Sequence, residues 1–460
     1  MSYLPHTDRD RREMLAAIGA ESFEDLLAEI PESIRFRGDL HLPPPLSQQE
    51  VEEEFDRLAA ENRRAAEKDA FLGGGVYDHY VPSIVGATLA RPEFYSAYTP
   101  YQAEVSQGTL QTVFEFQSLL SRLTGMPLAN ASLYDGATAL VEGVWMARAE
   151  GKGRTEIVLP RSLSPRYRAV LRTHLAAAAA DIREIDFGED GFVDAAALDG
   201  ALSDKTAVVV VQSPNYFGLI EETDRIAERA HRAGALFLQV FDPISLALIR
   251  TPGEAGADIA VGEGQSLGGA IGFGGPLLGL FTAQERFLRK MPGRLVGMTE
   301  DLDGERAFTL TLQTREQHIR REKATSNICT NQGLMALGAM VYLAALGQKG
   351  LRRAALLSQE RALELRKELA AAGASFPFDG PFFREFPVVF PDRAVRLGLL
   401  PYLFREGIVP GLPLQGHYPA LGDAYLTAVT ERRSRESIRR FGETVARFLR
   451  GIREEEDGHA

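Results

Sequence analysis

Apolar positions recur at helical spacing near both ends of the chain and gather into short continuous runs in its middle. Asp8 to Ile18 is predicted as a helix stopped by Gly19, and a second segment opens at Ser22 and stops at Pro31. After Pro43, Pro44 and Pro45, the pair Ser47 and Glu50 gives a capping-box signal. Val51, Phe55 and Leu58 follow at helical intervals, so a helix reaching about Asp69 is expected. The stretch FLGGGVYDHYVPSIV, residues 71 to 85, holds too much glycine and proline for a helix and too many apolar residues for a solvated linker. It reads as a packed loop able to carry function.

From Ser106 helices alternate with almost wholly apolar strands. The helices are predicted at Ser106 to Thr124, Gly136 to Ala149, Pro165 to Leu175, Ala195 to Leu202 and Thr223 to Ala233. The strands are EIVLP (156–160), TAVVVVQ (206–212), ALFLQVF (235–241), ADIAV (257–261) and PLLGLF (276–281). Such an alternation indicates a mostly parallel sheet covered on both faces, with ligands beyond the carboxyl ends of the strands. From Thr314 come long helices, roughly Asn331 to Leu346 and Leu351 to Ala372, then PVVF, another helix, YLTAV and a terminal helix from Ser434 to Arg450. The expected organisation is an N-terminal helical arm (1–72), a large α/β domain (73–313) and a smaller C-terminal α/β domain (314–460). The tail GIREEEDGHA is expected to fray.

The 460 residues carry 63 acidic and 51 basic side chains, a formal charge of -12, so no overall positive field awaits a nucleic acid. Cys329 is the single cysteine, which excludes an internal disulfide and a cysteine-rich metal centre. The opening MSYLPHTDRDRREM is charged from the start, and no window of ~18 apolar residues is evident, so a cytoplasmic protein without a membrane span is expected. Gly264, Ser266 and Gly268 spell a hydrolase elbow, with His318 and His417 following. That elbow needs strand, serine, helix, whereas GGAIGFGGPLLGLF leads from Ser266 into another strand.

Asp242 directly follows ALFLQVF, at the carboxyl end of a strand. It either opens a turn with Pro243 or serves as the aspartate that keeps the ring nitrogen of pyridoxal phosphate protonated. The lysine that binds such a cofactor should come one strand later. The chain has VGEGQSLGG there, with Glu263 and Gln265, and its seven lysines (68, 152, 205, 290, 323, 349 and 367) leave the interval from 206 to 289 empty. Arginine cannot substitute, because it does not deprotonate.

The segments YTPYQAEVSQGTLQ (98–111), NASLYDG (130–136), SPNYFG (213–218), FDPISL (241–246) and TREQHIRREKATSNICTNQ (314–332) resemble the glycine-cleavage P-protein, glycine decarboxylase. The likeness is to its non-lysine half, the α subunit or subunit 1, and covers nearly the whole chain. It implies the architecture of fold-type-I pyridoxal-phosphate enzymes and an oxidoreductase of glycine catabolism, inactive as this chain alone. It further implies a lysine-bearing β subunit that binds the cofactor covalently, usually in an α2β2 heterotetramer. The reaction implied is decarboxylation of glycine and transfer of the aminomethyl group to the lipoyl group of H-protein.

Residues offered to the partner's site are then expected in YSAYTPYQ, namely Tyr95, Tyr98, Tyr101 and Gln102, with a packing loop as the plain alternative. His79 is a further candidate, since the glycines before it permit close backbone approach. Thr325, Ser326 and Asn327 precede a predicted helix and suit either the partner's cofactor phosphate or simple capping. Arg320, Arg321 and Lys323 read as a solvated run, Cys329 as a buried small side chain, and Glu263 as filling for a vestigial cavity or an arginine's partner. The competing function is a non-catalytic scaffolding or regulatory pseudoenzyme of the same fold.

Overall fold

The structure is a computed structural model that describes residues 6–62, 68–151, 153–178, 180–272 and 274–457. Lys152, Phe273 of the glycine-rich turn, the first five residues and the last three of the tail lie outside the described residues.

Two compact units are present, Met1–Arg63 and Arg64–Ala460. In the first, Thr7 and Asp10 cap the helix Asp8–Ala17, and Ser47 and Glu50 close the predicted capping box on Gln48–Glu61. The segment from Ser22 to Pro31 forms only a short 3-10 turn, Glu24–Leu27. The second helix stops at Glu61, where Asn62 turns extended, and most of the expected continuation to Asp69, residues 63–67, lies outside the described residues; β1 (Asp69–Ala70) belongs to the second unit.

That unit is built on seven strands: β2 (Leu128–Ala129), β3 (Glu156–Pro160), β4 (Asp181–Ile185), β5 (Thr206–Ser213), β6 (Leu236–Phe241), β7 (Ile259–Glu263) and β8 (Gly279–Ala283). They lie in the order β2-β8-β7-β6-β5-β3-β4, with β3 to β7 parallel and β8 antiparallel to both its neighbours, β7 and β2. Strands β3, β5 and β6 are buried almost throughout, as apolar runs covered by helices on both faces must be. Strand β4, DIREI, alternates exposed and half-buried positions at the sheet edge, so its charges leave no apolar run to mark it. The hairpin of β9 (Leu295–Glu300) and β10 (Arg306–Thr311) also went unpredicted, since polar residues interrupt both strands.

The helix Gly333–Ala371 begins two residues later than expected and is broken at Gly347, whose φ of 56° and ψ of -175° are open to glycine but costly for other residues. One stretch of it is apolar and long enough to cross a membrane, unlike the sequence expectation, yet its Tyr342, Leu343 and Ala339 lie in the core of the α/β unit. A second apolar core surrounds a three-stranded sheet of β11 (Glu385–Val389), β13 (Leu412–Pro413) and β14 (Ala424–Ala428), with β12 (Ile408–Val409) pairing with β1.

Candidate functional site

The carboxyl ends of β5, β6 and β7 meet in one pocket lined by Asp242, Glu263, Ser266, Tyr167, Tyr77 and Arg384. Of the two roles weighed for Asp242 the structure shows the turn, while the carboxylate oxygen that would meet a cofactor ring is taken by an arginine. Asp242 Oδ1 accepts from the Ser245 N–H at 2.9 Å, forming a turn, while its Oδ2 is paired with Arg384. Arg384 is 1% exposed, has a φ of 47°, and sets its guanidinium 3.5 Å over the centre of the Tyr77 ring. A left-handed arginine costs on the order of 1 kcal/mol, which the buried contacts of its head group offset.

Glu263 ends β7 and turns to the helix Gly136–Glu150, where it finds backbone donors and no arginine. Oε2 accepts from Gly136 N at 2.9 Å; Oε1 accepts from Gln265 N at 2.9 Å and Leu278 N at 3.0 Å. The carboxylate thus sits on a helix N-terminus, the usual place for an anion. Gly136 permits this approach, because a Cβ there would lie 2.0 Å from the Tyr167 hydroxyl and 2.9 Å from the Glu263 nitrogen.

Of the loop expected over 71–85, residues 71–82 form it and the last three already belong to the helix Ser83–Leu89; the loop is held by polar and charged groups of the C-terminal half. Glu385 accepts from the Tyr77 hydroxyl at 2.6 Å and Gly74 N at 2.9 Å, and Gln265 brackets the Tyr77 backbone at 2.9 and 3.1 Å. Asp78 pairs with Arg432 at 2.8 Å and Arg433 at 2.7 Å. His79 is buried, its Nδ1 2.6 Å from Glu431 Oε2 and its Nε2 against Arg384. An arginine can only donate, so Nε2 accepts and Nδ1–H donates to Glu431. Both ring nitrogens are therefore committed inside the chain, behind Arg384 of the pocket.

Tyr95, Tyr98, Tyr101 and Gln102 lie at the surface, with Tyr98 88% exposed. Tyr95 and Tyr98 border a groove of about 220 Å³ that also touches Thr112, Asn331 and Leu337. Tyr101 turns to another group, edge-on to His318 at 5.9 Å with Arg294 5.7 Å from its ring centre. Thr325, Ser326 and Asn327 do not cap the helix as supposed: it starts at Gly333, and Ser132 Oγ meets Gln332 N at 3.2 Å just before it. Ser326 instead accepts from Ile328 N at 3.1 Å. Cys329 is exposed rather than buried, because it lies in the extended approach to that helix. Ser266 Oγ is buried without a hydrogen-bond partner, so no histidine activates it as a nucleophile. Sequence reasoning missed Arg384 and Tyr167 altogether, since neither sits in a motif or near Asp242 along the chain.

The chain matches the family model of the glycine cleavage system P-protein over residues 1–438. It belongs to that family. Proteins named probable glycine dehydrogenase (decarboxylating) subunit 1 are 48% identical over 446 residues in Chloroherpeton thalassium, covering 97% of this chain and 99% of that one. The one from Moorella thermoacetica is 46% identical over 453 residues, 98% of this chain and 100% of its own. A crystal structure of glycine decarboxylase (P-protein) of the glycine cleavage system, in inhibitor-bound form, superposes with a TM-score of 0.88 at 44% identity, covering 97% of this chain and all of that one. An apo cysteine desulfurase from Thermococcus onnurineus NA1, with a TM-score of 0.62 at 15% identity over 84% of this chain and 96% of its own, shares the fold alone. The P-protein chain described here thus has the fold of type-I pyridoxal-phosphate enzymes.

Its own pocket does not fit that cofactor. No lysine lines it, Asp242 is already neutralised by Arg384, and the remaining cavity of about 40 Å³ holds about three waters.

Burial pushes Glu221, Glu263 and Glu385 up to about 7. A carboxyl that titrates higher in the folded state stabilises the fold fully below its ordinary value near 4.5, and that contribution fades as pH rises through about 7. The melting midpoint of the purified chain is therefore expected to fall from about pH 5 to about pH 8, and Glu221→Gln to flatten that slope. Scanning calorimetry across this range checks it; a midpoint rising with pH in both proteins contradicts it.

Proposed function

We propose that this chain is subunit 1 of a glycine decarboxylase and completes the active site of a separate, lysine-bearing subunit that holds pyridoxal phosphate covalently. The observation that carries the reading is a cofactor-type fold with no lysine between Lys205 and Lys290, in a chain that matches proteins named subunit 1 from end to end.

In the assembled enzyme glycine loses its carboxyl group as carbon dioxide. Its aminomethyl carbon bonds to one sulfur of the lipoyl disulfide of H-protein, and the other sulfur takes a proton to become a thiol. The cofactor, held by the other subunit, supplies the electron sink for this decarboxylation. This chain's share is to orient glycine and keep water out. Exposed tyrosines are suited to it, with a rigid ring and a hydroxyl that donates to a carboxylate. Tyr95, Tyr98, Tyr101 and Gln102 form that contribution, and Thr325, Ser326 and Asn327 face the partner's cofactor phosphate. His79 acts behind them by fixing residues 71–82. The complex is an α2β2 heterotetramer acting in the cytoplasm as an oxidoreductase, with no nucleic acid or membrane as partner.

The closed pocket favours one competing reading, a scaffold that only stabilises its partner. Reconstitution with the lysine-bearing subunit and lipoylated carrier, followed by glycine-dependent carbon dioxide exchange with wild-type and Tyr98→Ala chains, separates the two. The subunit reading expects assembly to persist and exchange to collapse in the variant; unchanged exchange supports the scaffold.

A further inference from the structure

Pyridoxal phosphate presents two charged ends to a type-I fold: a protonated ring nitrogen that meets an aspartate after a central strand, and a phosphate suited to a helix N-terminus. In this chain both positions are taken by side chains of the chain itself. The Arg384 guanidinium meets Asp242 after β6, and the Glu263 carboxylate takes the Gly136 N–H where the helix Gly136–Glu150 begins. A cation and an anion are thus built into one pocket in the order in which the cofactor would present them.

We propose that Arg384, ion-paired to Asp242, and Glu263, held by backbone N–H groups, act as an internal replacement for the cofactor, locking the former cofactor pocket so that pyridoxal phosphate is kept out and residues 71–82 are fastened. Three observations carry it. The lock is tight: Arg384 is 1% exposed, its head group lies 3.5 Å over the Tyr77 ring, and about 40 Å³ is left open. Its members come from distant parts of the chain, with Arg384 bridging Asp242 of the sheet and His79 of the loop. The loop has no regular hydrogen bonding of its own, so its position depends on such ties, and it runs directly into the helix Ser83–Leu89 ahead of Tyr95. That the loop serves the tyrosines rests on the function proposed above; the lock itself does not.

The test uses the full chain by itself, without partner, glycine or carrier, so its failure is distinct from failure of the subunit reading. Melting midpoints are compared for wild type, Arg384→Met, Asp242→Asn and the double variant. Removing Arg384 strands the Asp242 charge, so Arg384→Met is expected to lower the midpoint by roughly 5 °C. Adding Asp242→Asn to it removes the stranded charge and is expected to restore at least half of that loss. Arg384→Met that is insoluble while the double variant folds carries the same meaning. A double variant that loses the sum of the two single losses, or is as insoluble as Arg384→Met, overturns the lock. In parallel, pyridoxal phosphate at about 1 mM is expected to leave the wild-type midpoint unmoved. A saturable rise of several degrees in wild type overturns the exclusion of the cofactor.

Discussion

Replacing Tyr98 with alanine in the assembled enzyme is expected to lower glycine turnover by about 100-fold, the usual scale for losing one aimed donor from a reaction centre. The same change is expected to leave the stability of the isolated chain within about 0.5 kcal/mol, as surface substitutions generally do. Tyr98 is 88% exposed, and its hydroxyl bonds to nothing among the described residues. Under the proposed function, such a side chain is free to reach the partner's site. Tyr98→Phe sharpens the expectation, since it keeps the ring and removes only the hydroxyl. If the hydroxyl is the working group, Phe loses nearly as much as Ala, while a ring that merely packs makes Phe close to wild type. Glycine-dependent carbon dioxide exchange reads turnover, and calorimetry of the isolated chain reads stability. A variant that loses both together contradicts a role in trans.

The second large effect is expected at Gly136→Ala. The added Cβ would stand 2.0 Å from the Tyr167 hydroxyl and 3.0 Å from the Gly262 carbonyl carbon. The tyrosine can give way only by moving in a buried pocket, and the backbone of β7 cannot yield without separating Glu263 from the helix end. An overpacked site of this kind costs about 3 kcal/mol. Chemical denaturation of the purified chain measures it, and a loss below about 0.5 kcal/mol would mean that the helix and β7 approach less closely than described. Gly108→Ala serves as the control, because a Cβ there meets nothing within 4 Å.

Much of the frame was legible in the sequence because the buried parallel strands are long uninterrupted apolar runs, and β3 and β5 begin at the predicted residues. Edge strand β4 and the β9 and β10 hairpin were not, since charged residues break the apolar run in β4 and glycine, threonine and a terminal charge break it in the hairpin. The pocket was half legible. Asp242 and the missing lysine could be read from position along β6 and β7, because both depend on local order. Arg384 could not: it lies 142 residues from Asp242, and nothing in FFREFPVV marks an arginine that will turn inward. Of the two readings of Glu263, it does line the cavity but meets no arginine, and its three donors are backbone groups that leave no trace in composition. Cys329 was misjudged because apolar residues follow it, although the helix that buries them starts only at Gly333.

The most direct test of the central claim is reconstitution of glycine-dependent carbon dioxide exchange from three purified components: this chain, the lysine-bearing subunit and lipoylated carrier protein. Exchange is expected only when both subunits are present, with the cofactor absorbance residing wholly on the lysine-bearing one. Exchange by this chain with carrier alone, or by the lysine-bearing subunit at full rate without this chain, would contradict it.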